Sequence, residues 1–250
     1  MSSSFDRLKR IVARLRSPDG CPWDREQTHE SLKPHLLEEC YEVIDSIDSK
    51  NDSELKEELG DILLQVVLHS QIAAENSRFD FEEVASLIAD KLVHRHPHVF
   101  GNYRLPDSEA VLQQWDSLKR LEKSHRESIL DGVPKALPAL ARAQKLQTKA
   151  GRVGFDWDDA EGAWRKVLEE VNEVAAAANE NRAEEIGDLL FAIVNFARKN
   201  KLDAEQILNR ATKKFYDRFR KMERLASECE MEFVNLSLDE MEQLWIEAKK

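Results

Sequence analysis

An all-α fold of two tandem helical units is the expectation for this chain of 250 residues, and three observations predict it. Glycine is scarce (8 residues) and threonine occurs only at Thr28, Thr148 and Thr212, so turn formers and strand formers are both thin. Apolar residues recur at spacings of three and four along most of the chain. Short patterns from the first half return, in order, in the second. Hydrophobic residues are 42% of the total, enough to build a core.

Taken in order, the periodicity predicts a first helix over 5–16. The next, over 34–48, carries Leu36, Leu37, Cys40, Val43, Ile44 and Ile47 as one stripe. A helix over 53–75 begins amphipathic with Leu55, Leu59, Ile62 and Leu63. It then becomes apolar on nearly all sides up to Leu68, as a helix buried centrally or against a partner subunit would. Helices over 81–95, with Asp80 as N-cap, and over 108–124 complete the first half. Pro97, Pro106, Pro134 and Pro138, with the turn pair Asp131-Gly132, interrupt the pattern. We therefore divide the chain into a unit over 1–122, a linker over 123–137 and a unit over 138–250. The second unit is expected to hold helices over 138–150, 160–178, 182–199, 204–227 and 238–249, the last capped by Ser237.

Charge narrows the partners. With 48 acidic against 37 basic residues the net charge is −11, which argues against a nucleic-acid polymer as ligand. Cys21, Cys40 and Cys229 are odd in number, far apart and without a C-x-x-C pair, so neither a disulfide framework nor a thiolate zinc site is expected. The first ten residues carry charges where a signal peptide needs an apolar stretch. The longest apolar run, Leu189 to Val194, is far short of the roughly 20 residues that span a bilayer. A cytoplasmic protein with no membrane partner is the expectation.

The repeat carries the chemistry. Leu37-Glu-Glu-Cys-Tyr-Glu42 returns as Leu168-Glu-Glu-Val-Asn-Glu173, and Glu57-Glu-Leu-Gly-Asp61 as Glu184-Glu-Ile-Gly-Asp188. Pro22-Trp23-Asp24 is echoed by Asp156-Trp157-Asp158, Lys91-x-x-x-Arg95 by Lys214-x-x-x-Arg218, and Trp115-x-x-x-Lys119 by Trp245-x-x-x-Lys249. Each unit thus has Glu-Glu-x-x-Glu on one helix and Glu-x-x-Asp on the next. These are Glu38, Glu39, Glu42, Glu58 and Asp61, then Glu169, Glu170, Glu173, Glu185 and Asp188. Residues three or four apart share a helix face, so antiparallel packing of the two helices brings four carboxylates to one core edge. Such a cluster repels itself unless a cation joins it, and oxygen-only donors suit Mg²⁺. A single acidic pattern of this kind reads as a solvated face. Here it is paired on consecutive helices, occurs twice, and has Gly60 or Gly187 mid-helix beside the Asp, where close helix packing is the expected reason.

Lys214, Arg218 and Lys221 lie on one helical face and suit a polyphosphate, as do Lys91 and Arg95. Trp245 and Trp115 have the faces to stack on a base, with Lys249 and Lys119 one turn on. His94, His96 and His98 have no counterpart in the second unit and read as a polar segment broken by Pro97. Glu26-x-x-His29 and Glu122-x-x-His125 have di-iron spacing but lie outside the acidic helices. No P-loop and no G-x-S-x-G elbow is present.

On these residues, together with Gly20-Cys-Pro-Trp-Asp24, His94-Arg-His-Pro-His-Val-Phe100 and Val153-Gly-Phe-Asp-Trp157, nearly the whole chain resembles the MazG-type nucleoside triphosphate pyrophosphohydrolases of the all-α pyrophosphatase group. The resemblance implies four-helix-bundle-like units that pair as homodimers. It further implies Mg²⁺ dependence with Mn²⁺ as a substitute, and hydrolysis of a broad range of nucleoside triphosphates to the monophosphate and pyrophosphate in nucleotide-pool housecleaning. It implies that Glu170, Glu173, Glu185 and Asp188 hold the metal, as Glu39, Glu42, Glu58 and Asp61 would in the first unit. Lys214 and Arg218 would take phosphates, Trp245 and Lys249 would contact the nucleotide, and Glu169 or Glu38 would be the carboxylate left to orient water. Two other readings stay open: a narrower pyrophosphohydrolase for dUTP or phosphoribosyl-ATP, and a non-catalytic helical dimer or regulatory module.

Overall fold

The computed structural model describes residues 3–102, 104–107, 110, 111, 114, 115, 118 and 127–249. Among these, every regular element is helical, and none is long and apolar enough to cross a membrane. The chain divides into two compact units, Met1–Lys123 and Ser124–Lys250.

In the first unit α1 (Ser4–Leu15) starts behind a capping box between Ser3 and Asp6. The five-residue α2 (Pro22–Glu26) is too short to display a period, and Pro22 opens it with a φ already suited to a helix. Lys50 and Asn51 alone join α3 (Lys33–Ser49) to α4 (Asp52–Glu75), so the two fold back on each other as the main helix pair of the unit. Asn51 caps α4 by accepting from the Ser53 and Glu54 amides. Asp80 caps α5 (Phe81–Arg95), and Pro97 ends that helix and begins α6 (Pro97–Phe100). The core gathers Val12, Leu32, Val67, Leu68 and Ile72, with Leu63, Leu64 and Phe81 against it. The second half of α4 is therefore the buried centre, as its all-round apolar stretch requires. The helix expected over 108–124 falls mostly outside the described residues.

A single side chain fastens three parts of this unit. Arg16, just past α1 and 6% exposed, donates to the Glu75 carboxylate at the end of α4 (2.8 and 3.0 Å). It also donates to the carbonyls of Asp24 and Gln27 at α2. Nearby, His29 and His69 stack with ring centroids 5.0 Å apart and share a hydrogen bond of 2.7 Å.

The second unit holds α7 (Ala139–Gly151), α8 (Ala160–Ala176), α9 (Arg182–Lys199), α10 (Ala204–Glu228), a 3₁₀ turn over Phe233–Asn235 and α11 (Leu238–Ala248). Asp159, Asp203 and Ser237 cap α8, α10 and α11. The main pair is α8 with α9; α7 crosses α9 and α10, and α11 lies on α10. Small residues let these helices close up around Val194, Ala197 and Ala204, with Leu140 and Ala143 against them.

Four helices, α3, α4, α9 and α10, end in the same way. Residues Lys50, Ser77, Lys201 and Glu230 take left-handed backbone with φ between 52° and 61°. The next amide then bonds back to a carbonyl in the last turn, as in Asn51 to Ser46 and Leu202 to Ala197. Glycine is the usual occupant of that position, and here none of the four is glycine.

Candidate functional site

On α8, Lys166, Glu169, Glu170 and Glu173 follow one another at helical spacings and so share a face. Glu185 comes from the facing helix α9. One oxygen from each of Glu170, Glu173 and Glu185 lies within 4.8 Å of the others. Lys166 Nζ donates to Glu169 (2.7 Å) and to Glu170 Oε1 (2.6 Å), and these contacts hold its ammonium above the ordinary lysine range. The Glu170 side chain is 6% exposed and its Oε2 has no hydrogen-bond partner. Local desolvation first, and then the charge of Glu170, pushes the Glu173 carboxyl up. A buried carboxylate with one orphaned oxygen, inside a group of three, is a donor set that fits a hard divalent cation.

The first unit repeats the arrangement. Glu39 from α3 meets Glu58 and Asp61 from α4 within the same 4.8 Å. Desolvation, then Asp61 and Glu42, pushes Glu39 up, and desolvation, then Glu42 and Asp61, pushes Glu58 up. The position matching Lys166 is His35, whose Nδ1 lies 3.7 Å from Glu38. The second cluster thus has a permanent cation at its edge, while the first has an imidazole.

The sequence-based sets are gathered incompletely. Glu42 and Asp188, both exposed, fall outside the two groups of three, although the charge of Glu42 acts on Glu39 and Glu58. Glu169 stands 58% exposed with Lys166 against it. The close packing expected at Gly60 and Gly187 is not found: a Cβ at either would meet no atom within 4 Å. Both lie on outward sides of their helices beside exposed Leu59 and Ile186, so packing within the chain does not explain them. Lys166 was missed because a lysine three and four residues before glutamates reads as a routine surface pair.

The basic residues assemble separately. Arg210, Lys213, Lys214, Arg218 and Lys221, with Asp217 and Ala248, line an open groove of about 420 Å³ along α10. Trp245 of α11 stands beside it with Phe215 at 5.4 Å, Arg218 at 5.7 Å and Lys249 at 5.8 Å from its ring. Among the described residues, no ion pair joins Lys214, Arg218 or Lys221 to the carboxylates of α8 and α9. In the first unit Trp115 packs edge-on against His96 (4.8 Å). Lys119, Glu122 and His125 lie outside the described residues. His29 is engaged with His69, and among the described residues no histidine joins a metal-type group.

One consequence follows for stability. A carboxyl whose pKa is raised on folding favours the fold below its ordinary value, and that contribution is lost as pH rises through the folded pKa. Without a cation, both clusters therefore oppose folding above the ordinary glutamate range near 4.5. Saturating Mg²⁺ is expected to raise the melting temperature, by about 2.7 kcal/mol of stability at 100 times its dissociation constant. The gain should be larger at pH 7.5 than at pH 5. Calorimetry with Mg²⁺ and with chelator checks it; an equal effect of Ca-free monovalent salt would refute a specific site.

Comparison with known proteins gives a consistent picture. Residues 27–100 and 160–222 match the MazG nucleotide pyrophosphohydrolase domain. The chain is 47% identical over 248 residues to a Thermotoga maritima protein named nucleoside triphosphate pyrophosphohydrolase/pyrophosphatase MazG, covering 98% of this chain and 95% of that one. It is 43% identical over 257 residues to the nucleoside triphosphate pyrophosphohydrolase of Escherichia coli (strain K12), covering 99% and 98%. A Bacillus subtilis protein called uncharacterized, YabN, is 45% identical over 252 residues, which are 98% of this chain and 52% of that protein.

Proposed function

The chain belongs to the MazG nucleotide pyrophosphohydrolase family, and from that premise we propose that it hydrolyses nucleoside triphosphates and their deoxy forms, with water, to the monophosphate and pyrophosphate. The observation that carries this reading is the buried, half-unpartnered Glu170 within a carboxylate triad. Glu170, Glu173 and Glu185, with Asp188 one turn from Glu185, would hold Mg²⁺, or Mn²⁺ in its place; Glu39, Glu42, Glu58 and Asp61 would do so in the first unit. When bound, the ion supplies Lewis-acid polarisation of the phosphate oxygens.

The remaining work falls to this chain's own groups. Lys166 fixes Glu170 and so aims its free oxygen. Glu169, exposed at the rim, is the carboxylate left to orient or deprotonate water. Lys214 and Arg218 hold phosphate charge, with Trp245 and Lys249 bordering the same groove on the nucleotide. Broad substrate range, a nucleotide-pool housecleaning role and a cytoplasmic site of action are part of the proposal. So is a homodimer: Leu168, Val171, Ile186, Leu190 and Ile193 are exposed on the main helix pair, and open backbone at Gly187 leaves room for a second helix.

The test is a panel of all nucleoside and deoxynucleoside triphosphates, with and without Mg²⁺, with products identified. Monophosphate plus pyrophosphate from several bases is the expected result. Turnover of dUTP or phosphoribosyl-ATP alone would select the narrower enzyme. No Mg²⁺-dependent pyrophosphate from any nucleotide would leave the non-catalytic helical module.

A further inference from the structure

All seven histidines lie before residue 126, and residues 126–250 have none. Side chains whose ordinary pKa is nearest neutrality are therefore confined to the first half of the chain. Two of them meet inside the first unit. His29 belongs to the segment between α2 and α3, and His69 to the buried half of α4. Their Nδ1 atoms are 2.7 Å apart, with the ring planes only 7° from parallel. On its other side, His29 Nε2 faces the Arg78 guanidinium at the corner between α4 and α5. The approach to α3, the middle of α4 and the α4–α5 corner are thus joined through two imidazoles.

A count of protons sets the direction of this relay. A guanidinium has no acceptor and keeps its protons, so Arg78 donates and His29 Nε2 accepts. A neutral imidazole has one N–H, so His29 carries it on Nδ1 and donates to His69 Nδ1. His69 then carries its own proton on Nε2, which is buried without a partner. One turn back on α4, Gln65 is 5% exposed, and its Oε1 is also buried without a partner. The relay has no place for a further proton. On His29 Nε2 it would set two donors face to face with Arg78, and on His69 Nδ1 it would do the same with His29.

The surroundings supply no compensating charge. Arg78 is itself a cation. Glu30, next to His29 in sequence, is exposed and paired with Lys33. Glu75, one-third exposed at the end of α4, is taken by Arg16 and Gln71. Among the described residues, neither Glu26 nor any other carboxylate pairs with His29 or His69. Burial, and then His29, holds the His69 imidazole below the ordinary histidine value of 6.5.

We propose that Arg78, His29 and His69 form an acid-sensitive latch, in which one proton taken up by the histidine pair breaks the relay and releases the segment around His29 from α4. Above pH 6.5 the closed and open forms are both neutral at His69, and the latch is shut. Below it, the open form takes up a proton that the closed form refuses. The closed form then loses up to about tenfold in population per pH unit for each such proton, until pH reaches the lowered value. Helices α3 and α4 also carry Glu39, Glu58 and Asp61, so the release loosens the pair that gathers the first carboxylate group. The helices of the second unit, without histidine, keep their packing.

Hydrogen exchange of the full chain at pH 7.5 and pH 5, corrected for the intrinsic pH dependence of exchange, tests the latch. The corner at Lys201 is the reference, since its backbone turns as at Ser77 and its helices carry no histidine. Protection of residues 27–32 and 76–80 is expected to fall about tenfold or more beyond that of residues 200–204. In His69→Asn an amide oxygen stands where Nδ1 accepts and does not titrate, so the extra loss is expected to vanish. Tautomers of the wild-type chain, read from the imidazole nitrogen resonances at pH 7.5, need no variant: the proton is expected on Nδ1 of His29 and on Nε2 of His69. An equal pH effect at both corners, an extra loss that survives His69→Asn, or the reverse tautomers each overturns the latch. Should His69→Asn fail to fold, wild-type exchange and tautomers decide between these outcomes.

Discussion

Glu170→Gln combined with Glu39→Gln is expected to lower Mg²⁺-dependent pyrophosphate release by more than about 100-fold, beyond the 10- to 100-fold typical for groups that only support a ligand. The glutamine keeps the shape and still accepts from Lys166, so the fold has little reason to fail. What disappears is a buried negative charge whose Oε2 has no protein partner. Relief of like-charge repulsion should leave the metal-free melting temperature unchanged or raise it, while the gain on adding Mg²⁺ shrinks. Pairing the change with Glu39→Gln removes the matching carboxylate of the first unit. Product assays and calorimetry on the double variant check both parts. Near-normal turnover would sink the assignment of the carboxylates, and Asp188→Asn with Glu39→Gln would then test the neighbouring acid.

Arg16→Met is expected to destabilise the first unit by about 3 kcal/mol, the lower end of the cost of breaking a buried pair, because Glu75 is one-third exposed and water reaches it. Methionine replaces much of the stem, so the loss is of directed hydrogen bonds: Glu75 and the carbonyls of Asp24 and Gln27 lose the Arg16 guanidinium together, and Glu75 keeps only the Gln71 amide. A pH signature separates this from lost packing. Arg16 holds the Glu75 carboxyl below its ordinary value of 4.5, so the pair stabilises the fold above that value. The contribution is lost as pH falls through the depressed pKa, and the variant should lack that part of the acid sensitivity. Hydrogen exchange at α2 and the end of α4, with amides of the second unit as reference, reads the effect directly.

The long helices were readable because each spans several turns, which gives an apolar period time to declare itself; α4 even announced its buried half through Ile62 to Leu68. The short α2 and α6 have no period, and only Pro22 and Pro97 mark them. The carboxylates were readable for the same geometric reason, since spacings of three and four put them on one face. Spacing does not resolve which of four side chains turn inward, so Glu42 and Asp188 stand outside the groups that Glu39 and Glu185 join. Lys166 carries no signal as a residue type. It is an ordinary lysine on a helix, and only the burial of its partner Glu170 gives it a role. Gly60 and Gly187 were noticed for a packing that the chain itself does not supply.

The left-handed ends at Lys50, Ser77, Lys201 and Glu230 have a meaning for the unfolded chain. Each side chain there costs about 1 kcal/mol or more in backbone conformation that glycine would not. Glycine would also widen the set of shapes open to the chain before folding, and folding must then give up more conformational entropy. With only 8 glycines in 250 residues, the chain accepts a local cost at four corners and starts from a narrower ensemble. The scarcity of glycine thus belongs to the energetics of the denatured state as much as to the preference for helix.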